Sequence, residues 1–318
     1  MEIKQDGARQ EKLRNVLLLL VRLGLWGDRE EHNTRLNLTE EDWNDVFRLA
    51  MQHTVTGLAF QGVSHLPDSQ IPPQSLLVRW MAETDAVERR NKRMNGVLGQ
   101  LYNIFHEKGL NPILQKGQGV ANYYESPLLR VCGDIDLYFN NKKAWDDALD
   151  FLRKNNITFT KQADEGISYR WQGVDIEHHS RLFDLYNPFL QGFVGKLEGQ
   201  KGYRHTALST YPSVIVTTPS PFLDILLQSL HILKHSVSRG IGLRQMCDMA
   251  RSCYKLHGEI DSEEMRAVCK KIGLHRWCPL SHTFLIDYLG LPKDCLPYED
   301  TAPSAAPLAE IVWRGGNF

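Results

Sequence analysis

The stretch from Leu114 to Phe139, LQKGQGVANYYESPLLRVCGDIDLYF, narrows most sharply what this chain can become. It reads as a short apolar strand, a Lys-Gly turn, a helix, and a second strand carrying Asp134 and Asp136. Residues two apart on a strand point to the same face, so the two carboxylates stand side by side. Like charges held that close repel unless a cation lies between them, and hard divalent cations prefer carboxylate oxygens. Asp is depleted in strands, so a pair on one face of an apolar strand needs a reason. The Lys116-Gly117 turn follows an apolar strand and opens a helix, where backbone N–H groups and a lysine charge converge on phosphate oxygens. The segment therefore predicts a metal-bound nucleotide. The competing reading is a strand end with two solvated acids and an exposed lysine.

Composition sets bounds on that reading. The 318 residues include 37 Lys and Arg against 38 Asp and Glu, a formal net charge of −1. Bulk charge therefore disfavours a nucleic-acid partner and leaves only a local basic groove open. Six cysteines are scattered without a CxxC pair, which suits a reducing compartment better than a disulfide framework. The run VLLLLVRLGLW is too short, and too broken by Arg22, to span a membrane. Glu2, Asp6 and Glu11 do not fit the basic start of a signal peptide. A cytoplasmic protein with no membrane partner is expected.

The chain divides into three regions. Residues 1–108 read as helical, with Leu13, Leu17, Leu20 and Val21 at helical spacing. Thr39 ahead of Glu40, Glu41 and Asp42 has the form of an N-cap with an acidic first turn. After prolines 67, 72 and 73, a long helix is expected from Gln74 past Phe105; its RRNKR run reads as a solvated face that can border a nucleotide site. Residues 109–212 alternate short strands and helices: strands at 111–115, 135–139, 157–159, 167–171 and 174–178, helices at 117–124 and 142–154. Loop signals cluster from Asn187 to Ser220. Residues 213–318 turn helical again, with Ser220-Pro221 as an N-cap and first-turn proline, and end in a weakly patterned tail. The fold class expected is α+β: a small mixed sheet flanked by two helical regions.

Further candidates lie outside the opening segment. Asp175 and Glu177 share one face of a strand; Glu177, deeper in it, is the preferred third carboxylate, and Asp175 can instead cap the strand entry. Three carboxylates on neighbouring strands suit two magnesium ions, one activating an attacking hydroxyl and one neutralising a triphosphate. One of His178 and His179 must point away from Glu177, into the core. Arg130 can pair with the acids or with phosphates. His231 and His235, four apart on a helix, have a zinc-compatible spacing without an HExxH motif, so zinc is the lesser reading. Lys234, His235, Arg239 and Arg244 form a basic cluster that reads either as a nucleotide contact or as a solvated face.

Together these residues resemble the nucleotidyltransferase superfamily that includes DNA polymerase beta, and more closely its bacterial branch of uncharacterised nucleotidyltransferase-like proteins. The resemblance runs through Lys116, Gly117, Tyr124, Arg130 and the Asp134-Ile135-Asp136-Leu137 strand, then Ile176-Glu177-His178-His179. It ends on a helical signature at Leu227, Leu230, His231, His235, Asp248 and Ala250, so it covers roughly residues 15 to 290. One departure is that Lys116-Gly117-Gln118 replaces the superfamily's Gly-Ser turn. The resemblance implies magnesium-dependent transfer of a nucleoside monophosphate from an NTP to a hydroxyl of a protein or small molecule. Asp134, Asp136 and Glu177 would be the catalytic metal ligands; Lys116, Gly117, Arg130 and Lys234 would hold phosphates. The alternative is a non-catalytic nucleotide- or partner-binding module, regulatory or antitoxin-like, that keeps the fold.

Overall fold

A computed structural model of the chain describes residues 2–27, 36–162, 165–185, 187–238 and 240–316. The N-terminal region is helical: α1 (Glu2–Trp26), α2 (Glu40–Gln52), α3 (Thr56–Val63) and α4 (Gln74–Glu107). Thr39 caps α2 as its spacing predicts, its hydroxyl accepting from the Asp42 N–H while the Asp42 carboxylate accepts from the Thr39 N–H. Helices α1 and α3 touch backbone to backbone. A Cβ on Gly62 would lie 1.9 Å from the Leu20 carbonyl oxygen, so only glycine fits there.

The middle of the chain supplies β1 (Ile113–Gln115), α5 (Gly117–Ala121), β2 (Ile135–Tyr138), α6 (Lys142–Lys154), β3 (Phe159–Lys161), β4 (Ile167–Trp171) and β5 (Val174–His179). Helix α6 has the expected bounds because its signals agree. Asn141 caps it by accepting from the Ala144 N–H, and Ala148, Phe151 and Leu152 form its buried stripe. Helix α5 stops at Ala121, short of the expected Tyr124.

The expected loop from Asn187 to Ser220 is instead α7 (Pro188–Lys201), β6 (Tyr203–Leu208) and β7 (Tyr211–Pro219). Glycines 192, 195 and 199 disguise α7, which buries only Val194 and Leu197 among its described residues. Strand β7 starts exposed at Tyr211, Pro212 and Ser213 and is buried only from Val216 onward, so half of it lacks a core pattern. It nevertheless pairs with β1 in the middle of the sheet, carrying the sheet past residue 212.

Among the described residues the sheet has seven strands in the order β3-β4-β5-β2-β1-β7-β6. It is mixed: β2 runs parallel to β5 and β1 parallel to β7, while β1–β2, β3–β4, β4–β5 and β6–β7 are antiparallel. One face, with Leu114, Ile135, Leu137, Ile176 and Val216, packs on α4 and α6 through residues such as Leu98, Phe105 and Phe151. Burying a side chain the size of Phe105 stabilises by roughly 2–3 kcal/mol.

The C-terminal region adds α8 (Pro221–Ser236), α9 (Leu243–Leu256), α10 (Ser262–Lys271), α11 (Trp277–Asp287) and α12 (Ala306–Arg314). Ser220 occupies the cap position of α8, but its hydroxyl makes no capping bond. The tail is more ordered than its pattern suggests. It carries α12, and the Gly316 N–H donates to the Ile241 carbonyl at 3.3 Å. A second core joins α1–α3 to these helices through residues such as Leu17, Phe47, Leu226, Met246 and Leu308. All six cysteines are buried and outside disulfides. Among the described residues no helix is long and apolar enough to cross a membrane.

Candidate active site

Register builds the site. Asp136 of β2 pairs with Glu177 of β5 on one side and with Gln115 of β1 on the other. Paired residues share a face, so Gln115, Asp136 and Glu177 form a row across three strands on the face opposite α4 and α6. His179, two residues beyond Glu177, joins the same face. Its Nε2 lies 2.8 Å from Asp136 Oδ1 and 3.8 Å from Glu177 Oε2. One donor atom each from Asp136, Glu177 and His179 falls within 4.8 Å of the others, a spacing that can hold a metal ion. His178 alternates inward, fully buried, its ring against Phe105, Phe139 and Tyr169.

Electrostatics distinguish the two aspartates. Burial alone would push the Asp136 carboxyl up, but the Lys116 ammonium, 3.3 Å from Oδ1, and the His179 hydrogen bond hold it below the usual carboxylate range. Asp134, just before β2, goes the other way. The Asp136 charge, then burial, push it up to about 6, and Lys116 offsets this only in part. At Asp134 the neighbouring carboxylates and burial outweigh Lys116 and Arg244. Glu177 is less enclosed, with 28% of its side chain exposed, and accepts from Gln162 Nε2 at 2.7 Å.

Lys116 stands at φ 48°, ψ −140°, and Gly117 at φ 42°. Such a conformation for a residue with a Cβ costs on the order of 1–3 kcal/mol, persists only where the surrounding structure holds it, and clusters at functional sites. It turns the chain off β1 and carries the lysine back over Asp136. With only five residues, α5 adds little dipole to that turn.

Lys116, Gly117, Asp134, Asp136, Glu177 and Arg244 line a cavity of about 270 Å³ that is closed by α8 and α9. Arg130 lines it too, yet its guanidinium is engaged by Asp248 through two bonds of 2.8 and 2.7 Å, and Tyr124 donates to the same carboxylate at 2.8 Å. Arg130 thus pairs with an acid of α9, outside the strand acids. Arg244 donates to the Val131 carbonyl at 2.9 Å, and burial, with Arg130 close by, pushes its pKa down. His231 also lines the cavity; burial and the Lys116 charge push it down. Its ring lies 4.3 Å from that of His235.

Two candidates lie elsewhere. Lys234 is exposed and faces Asp184 at 3.0 Å, in a neighbouring cleft. Asp175 is exposed, 3.9 Å from Arg170. Arg239 falls outside the described residues. The structure adds Gln115 and His179. Alternation already put His179 on the face of Glu177, but only the sheet order shows that this face meets Asp136.

Comparison with known proteins agrees with this geometry at the level of family. No curated protein matches the chain. A solved structure, an antigenic nucleotidyltransferase-like protein from Paracoccidioides brasiliensis, is similar over 57% of this chain and 87% of its own, at 15% identity and a TM-score of 0.36. The family model described as an uncharacterised nucleotidyltransferase matches residues 39–286. That span holds the whole sheet, both aspartates, Glu177 and the α8–α9 wall, and the chain belongs to the uncharacterised nucleotidyltransferase family.

Proposed function

We propose that the protein transfers a nucleoside monophosphate from an NTP to a hydroxyl of a protein or small-molecule acceptor, with divalent cations. The observation that carries this is the Asp136–Glu177 register pair, set beside Asp134 and Lys116 in one cavity. The donors fit magnesium by their chemistry: three hard carboxylates, one of them pushed up to about 6 by neighbouring negative charge that a cation would relieve. His179 offers nitrogen, which magnesium uses least. Its bond to Asp136 makes it a positioning residue that orients the carboxylate.

Asp134, Asp136 and Glu177 would hold the ions, two of them in the fullest arrangement. Bound there, the ions would neutralise the triphosphate and make the acceptor hydroxyl easier to deprotonate. Lys116 and Gly117 line the same cavity, and the lysine with the Gly117 N–H would hold phosphate oxygens. Arg130 and Arg244 supply fixed positive charge along its wall, and Lys234 stands at the rim of the next cleft. Glu177, more open than Asp136, would receive the acceptor's proton. Catalysis of this type rests on positioning and charge neutralisation. The polymerase-beta-like reading rests on the same strand acids.

One observation favours a binding module instead. Asp136 already has Lys116 and His179 as partners, which can neutralise it without a metal. Two measurements separate the readings. Magnesium and ATP should together raise the melting temperature of the wild type but not of Asp134→Asn/Asp136→Asn. Labelled NTP incubated with the protein and a cell extract should label an acceptor. Nucleotide binding without any labelled acceptor, under magnesium or manganese, would establish the binding module.

A further inference from the structure

A second cleft, of about 370 Å³, adjoins the first, and Lys116 and His231 line both. The two differ in chemistry. The first is ringed by Lys116, Asp134, Asp136, Glu177 and Arg244, and suits a charged nucleotide. The second has apolar walls: Leu182 and Phe183 from the segment after β5, Leu227 and Leu230 from α8. Its volume lies in the range of small-ligand sites.

Two polar groups in this apolar cleft have no partner. Gln115 is 3% exposed, and its Nε2 is buried without a hydrogen bond. The Ser180 hydroxyl is likewise buried and unpaired. A buried polar group left unpaired is costly, so a pair of them lining a cleft calls for a ligand. Both stand next to the reacting centre. Gln115 is the register partner of Asp136, and Ser180 follows His179, which bonds Asp136 and lines the cleft.

Resting on the nucleotidyl-transfer reading, we propose that this cleft is the acceptor site and that the acceptor is a small amphipathic alcohol. Its aliphatic or aromatic body lies against Leu182, Phe183, Leu227 and Leu230. A carbonyl group accepts from Gln115 Nε2, and its hydroxyl reaches the carboxylate cluster past His179. The hydroxyl oxygen forms a bond to the α-phosphorus of the NTP. The bond from that phosphorus to the bridging oxygen breaks, its electron pair leaves with pyrophosphate, and the hydroxyl proton passes to the Glu177 carboxylate.

The test uses the full chain with magnesium and ATP and three probes: 4-(hydroxymethyl)benzamide, N-octanoyl ethanolamine, and glycerol as a polar control. The first two are expected to bind, by ligand-observed NMR, and to accept labelled adenylate, with glycerol inert. Gln115→Leu should weaken binding of both amide-bearing probes about tenfold, the effect of one lost hydrogen bond. Val237→Glu, at an exposed position on the cleft and so no threat to folding, should weaken both while leaving magnesium-ATP stabilisation intact. Glycerol performing as well as the amphipathic probes, none of the three binding, unchanged probe binding in both variants, or labelling of a protein alone would overturn the proposal. If the wild type binds magnesium-ATP but no probe, the acceptor assignment fails and the nucleotide reading stands. If it does not bind magnesium-ATP, the nucleotide reading itself fails.

Discussion

Asp136 on β2 and Glu177 on β5 are register partners across a parallel strand pair, and His179 reaches back from the second strand to bond the first at 2.8 Å. The pairing sets two carboxylates on rigid neighbouring strands, so their separation depends on the sheet ladder rather than on a loop. Asp136→Asn should therefore lower transfer at least about 100-fold, no less than the loss of an outer partner at a metal site. It should also abolish magnesium-dependent stabilisation. Asp175→Asn, at the exposed start of β5, should change neither readout. Equal loss in both variants, measured by labelled-NTP transfer, would refute the assignment.

Asp134 should make the metal-free protein less stable as pH rises. Its native pKa of about 6 lies above the unfolded value of 3.8, so the native state holds a proton that the unfolded state releases. The resulting penalty is absent only below about pH 3, grows from 3.8 toward 6, and levels off above that at on the order of 2–3 kcal/mol. With chelator present, Asp134→Asn is expected to be more stable than wild type at pH 8 and closer to it at pH 4, by chemical denaturation. A variant no more stable at pH 8 than at pH 4, relative to wild type, would contradict the raised Asp134 pKa.

The Arg130–Asp248 pair should behave as a buried, structural ion pair. Asp248→Ala leaves the guanidinium buried without its partner and takes an acceptor from Tyr124, so a loss of about 3–5 kcal/mol is expected. Arg130→Met/Asp248→Leu should recover most of that loss, because it removes both charges. Urea unfolding of the wild type and both variants checks this; a double variant as unstable as the single would mean the pair's geometry, not its charge balance, holds α9 in place.

Acid should destabilise the fold through its buried histidines. Burial pushes His53 down to about 4, His178 to about 3 and His282 to about 4. The unfolded state takes up protons below pH 6.5 that these native rings refuse, so stability falls as pH drops from 6.5 toward 4. His178→Phe, in a ring cluster with Phe105, Phe139 and Tyr169, removes one such group. Relative to wild type it should gain on the order of 2–3 kcal/mol between pH 8 and pH 4, by denaturant titration. No relative gain would show that His178 is protonated in the native state.

Parts of the fold were legible because local signals agreed. Asn141, the buried stripe of Ala148, Phe151 and Leu152, and the long run from Gln74 are short-range patterns that need no partner to be read. Strand β7 was not legible, since its exposed first half and its prolines read as a loop until β1 pairs beside it. The Lys116 turn was visible as Lys-Gly, but its left-handed backbone was not.

The candidate site divides along the same line. The sequence by itself determined which carboxylates exist and that His178 and His179 point apart, because strand alternation is a local property of the backbone. Only the tertiary structure decided that Glu177 and His179 meet Asp136, and that Asp248 engages Arg130, 118 residues away in sequence. It also left Lys234 in the neighbouring cleft. Register and strand order depend on contacts between segments far apart in the chain, and no local spacing encodes them.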